Sequence, residues 1–292
     1  MRGKDAGRRL MLVHAHPDDE SIFTGVTMAK YAAEGARVTL VTCTMGERGA
    51  IRIIHPPGPG KDQPSGESRM ALLGKLRAKE LAVACAELGV TEHWYLGGPG
   101  RWRDSGMGAC DDPRAFCNAD LGQAVDELAA LVLEVQPQVM VAYDANGFYG
   151  HPDHIQAHLV AWHAYQQVCD PLRTKFYVLT IPRPLLVDAI NEAQQSQPGG
   201  GRRVTPEDFP EVGLPDDKGT IEICAESFLG AKLTALKAHA TQIEVDGPFF
   251  EVVGLPRMRA LGSEYYMQIA GPDAVTTGSR GQGREDDLFC GM

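Results

Sequence analysis

The sequence predicts an α/β protein: a mostly parallel β-sheet flanked by helices, with a smaller α+β portion toward the C-terminus. Two observations carry that expectation. Short, β-rich apolar runs alternate with longer stretches of helical periodicity, the pattern of successive β-α-β units. Segments rich in histidine and carboxylate follow two of those runs, and open α/β sheets bind ligands at the carboxyl ends of their strands. A chain of 292 residues that is 43% hydrophobic can bury a sizeable core. Residues 1–180 read as the unit that carries the chemistry. Residues 181–292 read as a portion that completes the pocket within the same globule.

Leu10 to Val13 is the first strand, a continuous apolar run of the kind buried on both faces. Ser21 to Ala33 follows as a helix. Ile22, Phe23, Val26, Met28, Ala29 and Tyr31 give it a broad apolar face, and Gly35 stops it. Arg37 to Cys43 is the second strand and completes a parallel β-α-β unit. The architecture is therefore Rossmann-like, yet no G-x-G-x-x-G follows the first strand, so the dinucleotide fingerprint is absent. Thr44 to Glu67 is a long loop, Glu67 to Leu88 a helix ended by Gly89, and Thr91 to Leu96 the third strand. The loop Gly97 to Met107 mixes glycines with Arg101, Trp102, Arg103, Asp104 and Met107. That mixture suits either recognition of a polar ring-shaped ligand or an ordinary exposed loop. Leu121 to Val135 is a helix and Val139 to Tyr143 the fourth strand. The loop Asp144 to His151 leads into a helix over Pro152 to Val168, with proline in its first turn. Lys175 to Leu179 is the fifth strand. Beyond it the periodicity weakens: Ser196 to Lys218 reads as a loop, Gly219 to Cys224 as a strand, Glu226 to His239 as a helix, and Glu264 to Ile269 as a last strand. The tail from Gly271 reads as partly disordered.

The first strand runs straight into His14, His16, Asp18, Asp19 and Glu20; the fourth is followed by Tyr149-Gly150-His151-Pro152-Asp153-His154. Imidazole nitrogens and carboxylate oxygens are standard Zn²⁺ ligands. Together the two segments supply three ligands and several spare acid or base groups, as a hydrolytic zinc site with an open position needs. Two adjacent carboxylates do not both aim at one metal, so one ligates while the other faces the open position. The structural alternative for the first segment is a solvated loop and an acidic first helical turn favoured by the helix dipole. His14 reads as a structural or supporting residue rather than a ligand. His239 either supports the site or simply ends a helix.

At these motifs the chain resembles the LmbE-like or PIG-L-like deacetylases, zinc-dependent N-deacetylases of amino-sugar compounds with a Rossmann-like fold. The family's A-H-P-D-D stands as Ala15 to Asp19 and its H-P-D-H as His151 to His154. Its R-x-x-E looks like Arg77 to Glu80, and its late H-x-(S/T)-Q like His239 to Gln242. The loop R-W-R-D-S-G-M, Arg101 to Met107, is most similar to the branch that deacetylates N-acetylglucosaminyl-inositol in mycothiol biosynthesis. Other branches act on mycothiol S-conjugates or on N-acetylglucosaminylated natural products of the glycopeptide pseudoaglycone type. A non-catalytic sugar-binding module is the remaining alternative, disfavoured because every motif residue is present. The resemblance implies His16, Asp19 and His154 as ligands of one Zn²⁺ per chain (Fe²⁺ being the other metal such a site takes in a cell) and Asp18 as general base. It places Tyr149 and His151 beside the carbonyl, with Asp153 orienting His151. It has Arg77 and Asp104 holding sugar-inositol hydroxyls and Met107 lining the pocket. Two positions depart from that branch: Ala50 where an acidic residue is expected, and Phe148 where the loop has glycine.

A formal net charge of -10 and the lack of a long basic patch argue against nucleic acid as a partner, because a polyanion needs basic surface. The longest apolar runs fall far short of a membrane span, and His14 interrupts the first too early for a signal peptide. Seven cysteines, an odd count without C-x-x-C, suit a reduced cytoplasmic protein. Cys110 and Cys117 flank a short loop, a redox or metal pair being the sharper alternative to two free thiols. The expected partner is a small amino-sugar substrate.

Overall fold

The computed structural model describes residues 7–49, 66–108, 110–196, 205–208, 210, 212–214, 221–243, 262–272 and 286–292. Expectations placed on Ala50, on the loop up to 65, on most of 196–218 and on 273–285 lie outside the described residues. Seven strands form one sheet in the order β3-β2-β1-β4-β5-β7-β6. β1 (Arg9–His14) pairs in parallel with β2 (Arg37–Thr42) on one side and with β4 (Val139–Ala142) on the other. β3 (Glu92–Tyr95) and β5 (Lys175–Thr180) extend the parallel part on either flank. Leu10, Met11 and Leu12 at its centre are fully buried, as strands covered on both faces must be.

The helices form two layers. α1 (Asp19–Ala33) and α2 (Gly66–Glu87) pack against α7 (Leu229–Ala238), and α3 (Leu121–Val135) packs against α5 (Pro152–Val168). Strand order runs outward from β1 to β3 and then restarts at β4 on the other side. The gap between the carboxyl ends of β1 and β4 is therefore the topological switch point, where such sheets open a crevice. Local signals set the helix ends. Asp120 accepts the Gln123 amide at 2.8 Å to start α3, and Gln136 ends it in the left-handed region. The single turn α4 (Gly147–Gly150) comes just before α5, and the His151 ring accepts the Asp153 amide at 3.1 Å to start α5.

Two features go beyond the sequence reading. α6 (Arg183–Ser196) forms where the apolar periodicity weakens. Pro184 sits in its first turn, Leu185 stays 37% exposed, and none of the side chains described on this helix is buried. The last strands also run the other way. β7 (Ser263–Ala270) pairs antiparallel with β5, and β6 (Ile221–Cys224) antiparallel with β7. Glu264 on β7 fixes the neighbouring helices: it accepts the Val26 and Thr27 amides at 3.1 and 2.9 Å and pairs with the buried Lys232 ammonium at 2.7 Å. Among the described residues no helix is long and apolar enough to cross a membrane.

Candidate metal and active site

His16, Asp18, Asp19, Arg77, Asp104, His151, Asp153 and His154 gather at the switch point, and Met107 is 72% exposed. His16 leaves β1 and Asp19 begins α1. The Asp19 Oδ2 atom accepts the His16 amide at 2.9 Å and lies 3.2 Å from His16 Nδ1 and 3.3 Å from His154 Nε2. Neighbouring ligand atoms around a tetrahedral zinc with bonds near 2.0–2.1 Å stand roughly 3.3–3.5 Å apart, so these two distances suit such a site. The other ring nitrogens are spoken for. His16 Nε2 meets Asp153 Oδ2 at 3.1 Å and Asp104 Oδ1 at 3.5 Å, while His154 Nδ1 reaches the Gly147 carbonyl at 3.2 Å. His154 Nε2 is buried and, although 3.3 Å from Asp19 Oδ2, makes no hydrogen bond. His16, His151 and His154 each bring one ring nitrogen within 4.8 Å of the others; His16, Asp104, His151 and Asp153 form a second such cluster through ring nitrogens and carboxylate oxygens, and Asp19 is in neither.

The electrostatics point the same way. Asp18, Asp19, Glu20, Asp104 and Asp153 converge, with Arg77 as the permanent cation among them. Burial alone would lower the His16 pKa. The Asp104, Asp153 and Asp19 carboxylates outweigh it and hold the value well above normal, so its proton answers a local demand for positive charge. Buried polar atoms normally find partners. An unpartnered imidazole nitrogen amid surplus carboxylates therefore fits a divalent cation.

Asp18 stands at φ 104°, outside the comfortable range for a residue with a side chain. Its amide donates to Glu20 Oε2 at 2.9 Å, and Glu20 Oε1 meets His239 Nε2 at 2.7 Å. His239 closes α7, so it both ends a helix and braces the motif. Burial raises Asp18 to about 6; Arg77 pulls against that, and Asp19 adds to it. Arg77 is 3% exposed, and its two terminal nitrogens are committed to the protein: Asp18 Oδ2 at 3.0 Å, the Gly46 carbonyl at 2.6 Å, and the Pro17 carbonyl, while the buried Nε has no partner. Gly46 has φ 64°, and a Cβ there would run into that guanidinium. Glu80, the other end of R-x-x-E, accepts both the amide and the hydroxyl of Thr241 at 2.8 and 2.7 Å.

The carboxylate of Asp153 faces His16 rather than His151, and also accepts the Ser105 and Cys117 amides at 2.8 and 2.9 Å. What reaches His151 is the Asp153 backbone amide. Asp104 likewise meets protein groups, accepting the Gly106 and Arg48 amides at 2.7 and 3.1 Å. His151 is lowered to about 4, chiefly by burial and then by His16 and His154. It is neutral at pH 7 with Nδ1 accepting, so its proton sits on Nε2. Tyr149 is 40% exposed at the rim. Phe148 adopts φ 63° with its ring 5.0 Å from Phe23, so the glycine-like position is filled by a packed aromatic. Cys110 and Cys117 are both free thiols. The sequence reading missed the parts played by Glu20, Tyr143 and the Ser105 and Cys117 amides. Only Glu20, third in the D-D-E run, carried a visible signal.

A crevice at the switch point of an open sheet, framed by paired imidazoles and carboxylates, is the plan of a hydrolytic metal enzyme. The chain belongs to the PIG-L family, described as GlcNAc-PI de-N-acetylase, whose family model matches residues 11–165. Two relatives, from Acidothermus cellulolyticus and Thermomonospora curvata, are each a 1D-myo-inositol 2-acetamido-2-deoxy-alpha-D-glucopyranoside deacetylase. The first is 48% identical, covering 98% of this chain and 95% of its own. The second is 45% identical, covering 99% and 98%. Among solved structures, the 4-carboxy-2-hydroxymuconate hydratase GalB from Pseudomonas putida KT2440 matches with a TM-score of 0.55 and 20% identity, covering 90% of this chain and 96% of its own. That likeness shows the fold alone, and its different chemistry shows how far fold is from function.

Proposed function

We propose that this chain, a deacetylase of that family, hydrolyses the acetamide of N-acetylglucosaminyl-inositol in mycothiol biosynthesis, releasing acetate and the free amine. The observation that carries this reading is whole-length identity of 48% to a deacetylase named for that compound. His16, Asp19 and His154 would hold one divalent ion, zinc foremost, and the orphaned His154 Nε2 supports that set. When bound, the ion supplies Lewis-acid activation of water and of the amide carbonyl. The protein prepares its own ligand atoms. With His16 Nε2–H donating to Asp153 and His154 Nδ1–H to Gly147, His154 Nε2 and, once its proton is displaced, His16 Nδ1 would each present a lone pair to the ion.

Asp18 takes the proton of the attacking water as general base. The Nε2–H of His151 and the Tyr149 hydroxyl donate to the oxygen that becomes negative in the tetrahedral intermediate. Because His151 is neutral, Asp18 rather than His151 returns the proton to the leaving nitrogen. Arg77 keeps Asp18 in place, and Met107 at the rim meets the distal ring. Seven free cysteines suit a cytoplasmic setting. Phe148 favours a second reading, since it narrows a position where the inositol-specific branch carries glycine: a mycothiol S-conjugate or a glycopeptide-type N-acetylglucosaminide as substrate. The test is kcat/KM measured side by side on the three compounds. N-acetylglucosaminyl-inositol is expected to be turned over best; a higher value on either of the others overturns the substrate while leaving amide hydrolysis in place.

A further inference from the structure

We infer that Tyr143 is a positioning residue for the metal centre, setting Asp19 through its hydroxyl and His154 through its ring. The inference rests on the ligand set proposed above and deepens it. Tyr143 closes the fourth apolar run and is fully buried. Its hydroxyl donates to Asp19 Oδ2 at 2.7 Å and accepts the Ala15 amide at 3.0 Å. Its ring lies flat on the His154 imidazole, with centroids 4.0 Å apart and planes 17° from parallel. One side chain thus touches two of the three proposed ligands and the backbone one residue before the third.

The proton count orders the contacts behind it. A phenol has one proton, and here it goes to the carboxylate. His14 Nδ1, 3.2 Å from the same hydroxyl, must then be the donor. Thr24 Oγ1 lies 2.9 Å from His14 Nε2 and 3.0 Å from the Glu20 carbonyl, so its single proton has two acceptors in reach. Thr24, His14, Tyr143 and Asp19 thus form one hydrogen-bonded row enclosed in the core. His14 thereby fixes which way the Tyr143 proton points. Partners behind first ligands are worth about 10–100-fold in metal affinity.

The test is zinc affinity of the metal-free full chain, read by competition with a chromophoric chelator. Tyr143→Phe keeps the stack and removes the hydroxyl; it is expected to weaken zinc binding about 10–100-fold. Tyr143→Leu loses the stack as well and should bind more weakly still. Thr24→Val removes the far end together with the hydroxyl's bond to the Glu20 carbonyl, and should show a smaller loss than Tyr143→Phe. Thermal unfolding of each metal-free variant reports whether the fold survives. A Tyr143→Phe protein that binds zinc as tightly as the unmutated chain overturns the inference, and it does so even if Tyr143→Leu fails to fold. If the unmutated chain binds no zinc, or His16→Ala binds it equally well, the ligand assignment falls instead.

Discussion

Asp18 and Arg77 state the residue-scale question most sharply. Asp18→Asn is nearly isosteric and leaves the proposed ligands alone. It should retain zinc and lose roughly 10²–10⁴-fold in kcat, the usual worth of a positioned base. Near-normal turnover by a zinc-loaded Asp18→Asn enzyme would place the base elsewhere. Arg77 separates two roles. If it gripped a sugar hydroxyl, its loss would raise KM. The structure instead spends its guanidinium on Asp18, Gly46 and Pro17. Removing an adjacent cation raises a carboxyl pKa by roughly 1–3 units. Arg77→Ala should therefore lower kcat near neutrality and move the acid limb of its pH profile upward, with little change in KM. A KM effect with an unmoved profile returns Arg77 to the substrate.

At the scale of elements, the Glu20–His239 pair is the joint between the start of α1 and the end of α7. Both side chains are fully buried. Removing one member of a buried ion pair leaves the other uncompensated and costs about 3–5 kcal/mol. The pair also carries a pH signature. Burial pulls His239 below its ordinary 6.5, but the Glu20 carboxylate outweighs that and leaves it raised. A raised histidine gives stability that is fully present below 6.5 and lost as the pH climbs through the higher folded value. Glu20 is the mirror case. Burial would push it up, His239 and its hydrogen bonds bring it below 4.5, and its contribution disappears on acidification through that lowered value. Unfolding curves of the metal-free enzyme should therefore show wild type well above Glu20→Gln at pH 6, with the gap closing toward pH 9. A gap of constant size would mean that the contact is an ordinary neutral hydrogen bond.

For the molecule as a whole, the parallel half of the sheet and the convergence of its strand ends were legible, because uninterrupted apolar runs such as Leu10 to Val13 mark strands that helices cover on both faces. β7 was legible as a strand but not in its direction. An antiparallel return next to β5 depends on tertiary placement rather than on its own residues. The motif residues likewise announced a site, but not which carboxylate serves which imidazole. Asp153 turned from His151 to His16 because Ser105 and Cys117, from a distant loop, hold it there. A centre assembled from so many elements should couple metal binding to global stability. The surplus of carboxylates and the unpartnered His154 nitrogen exist only in the folded chain, so a cation binds the native state alone. At free zinc one hundredfold above Kd, mass action adds about 2.7 kcal/mol. Spread over the unfolding entropy of 292 residues, that raises Tm by roughly 4 °C. Chelator-stripped protein titrated with Zn²⁺ should show this rise, growing logarithmically with concentration above Kd, while His16→Ala should show none. An equal shift in His16→Ala would mean that the ion stabilises the protein from another place.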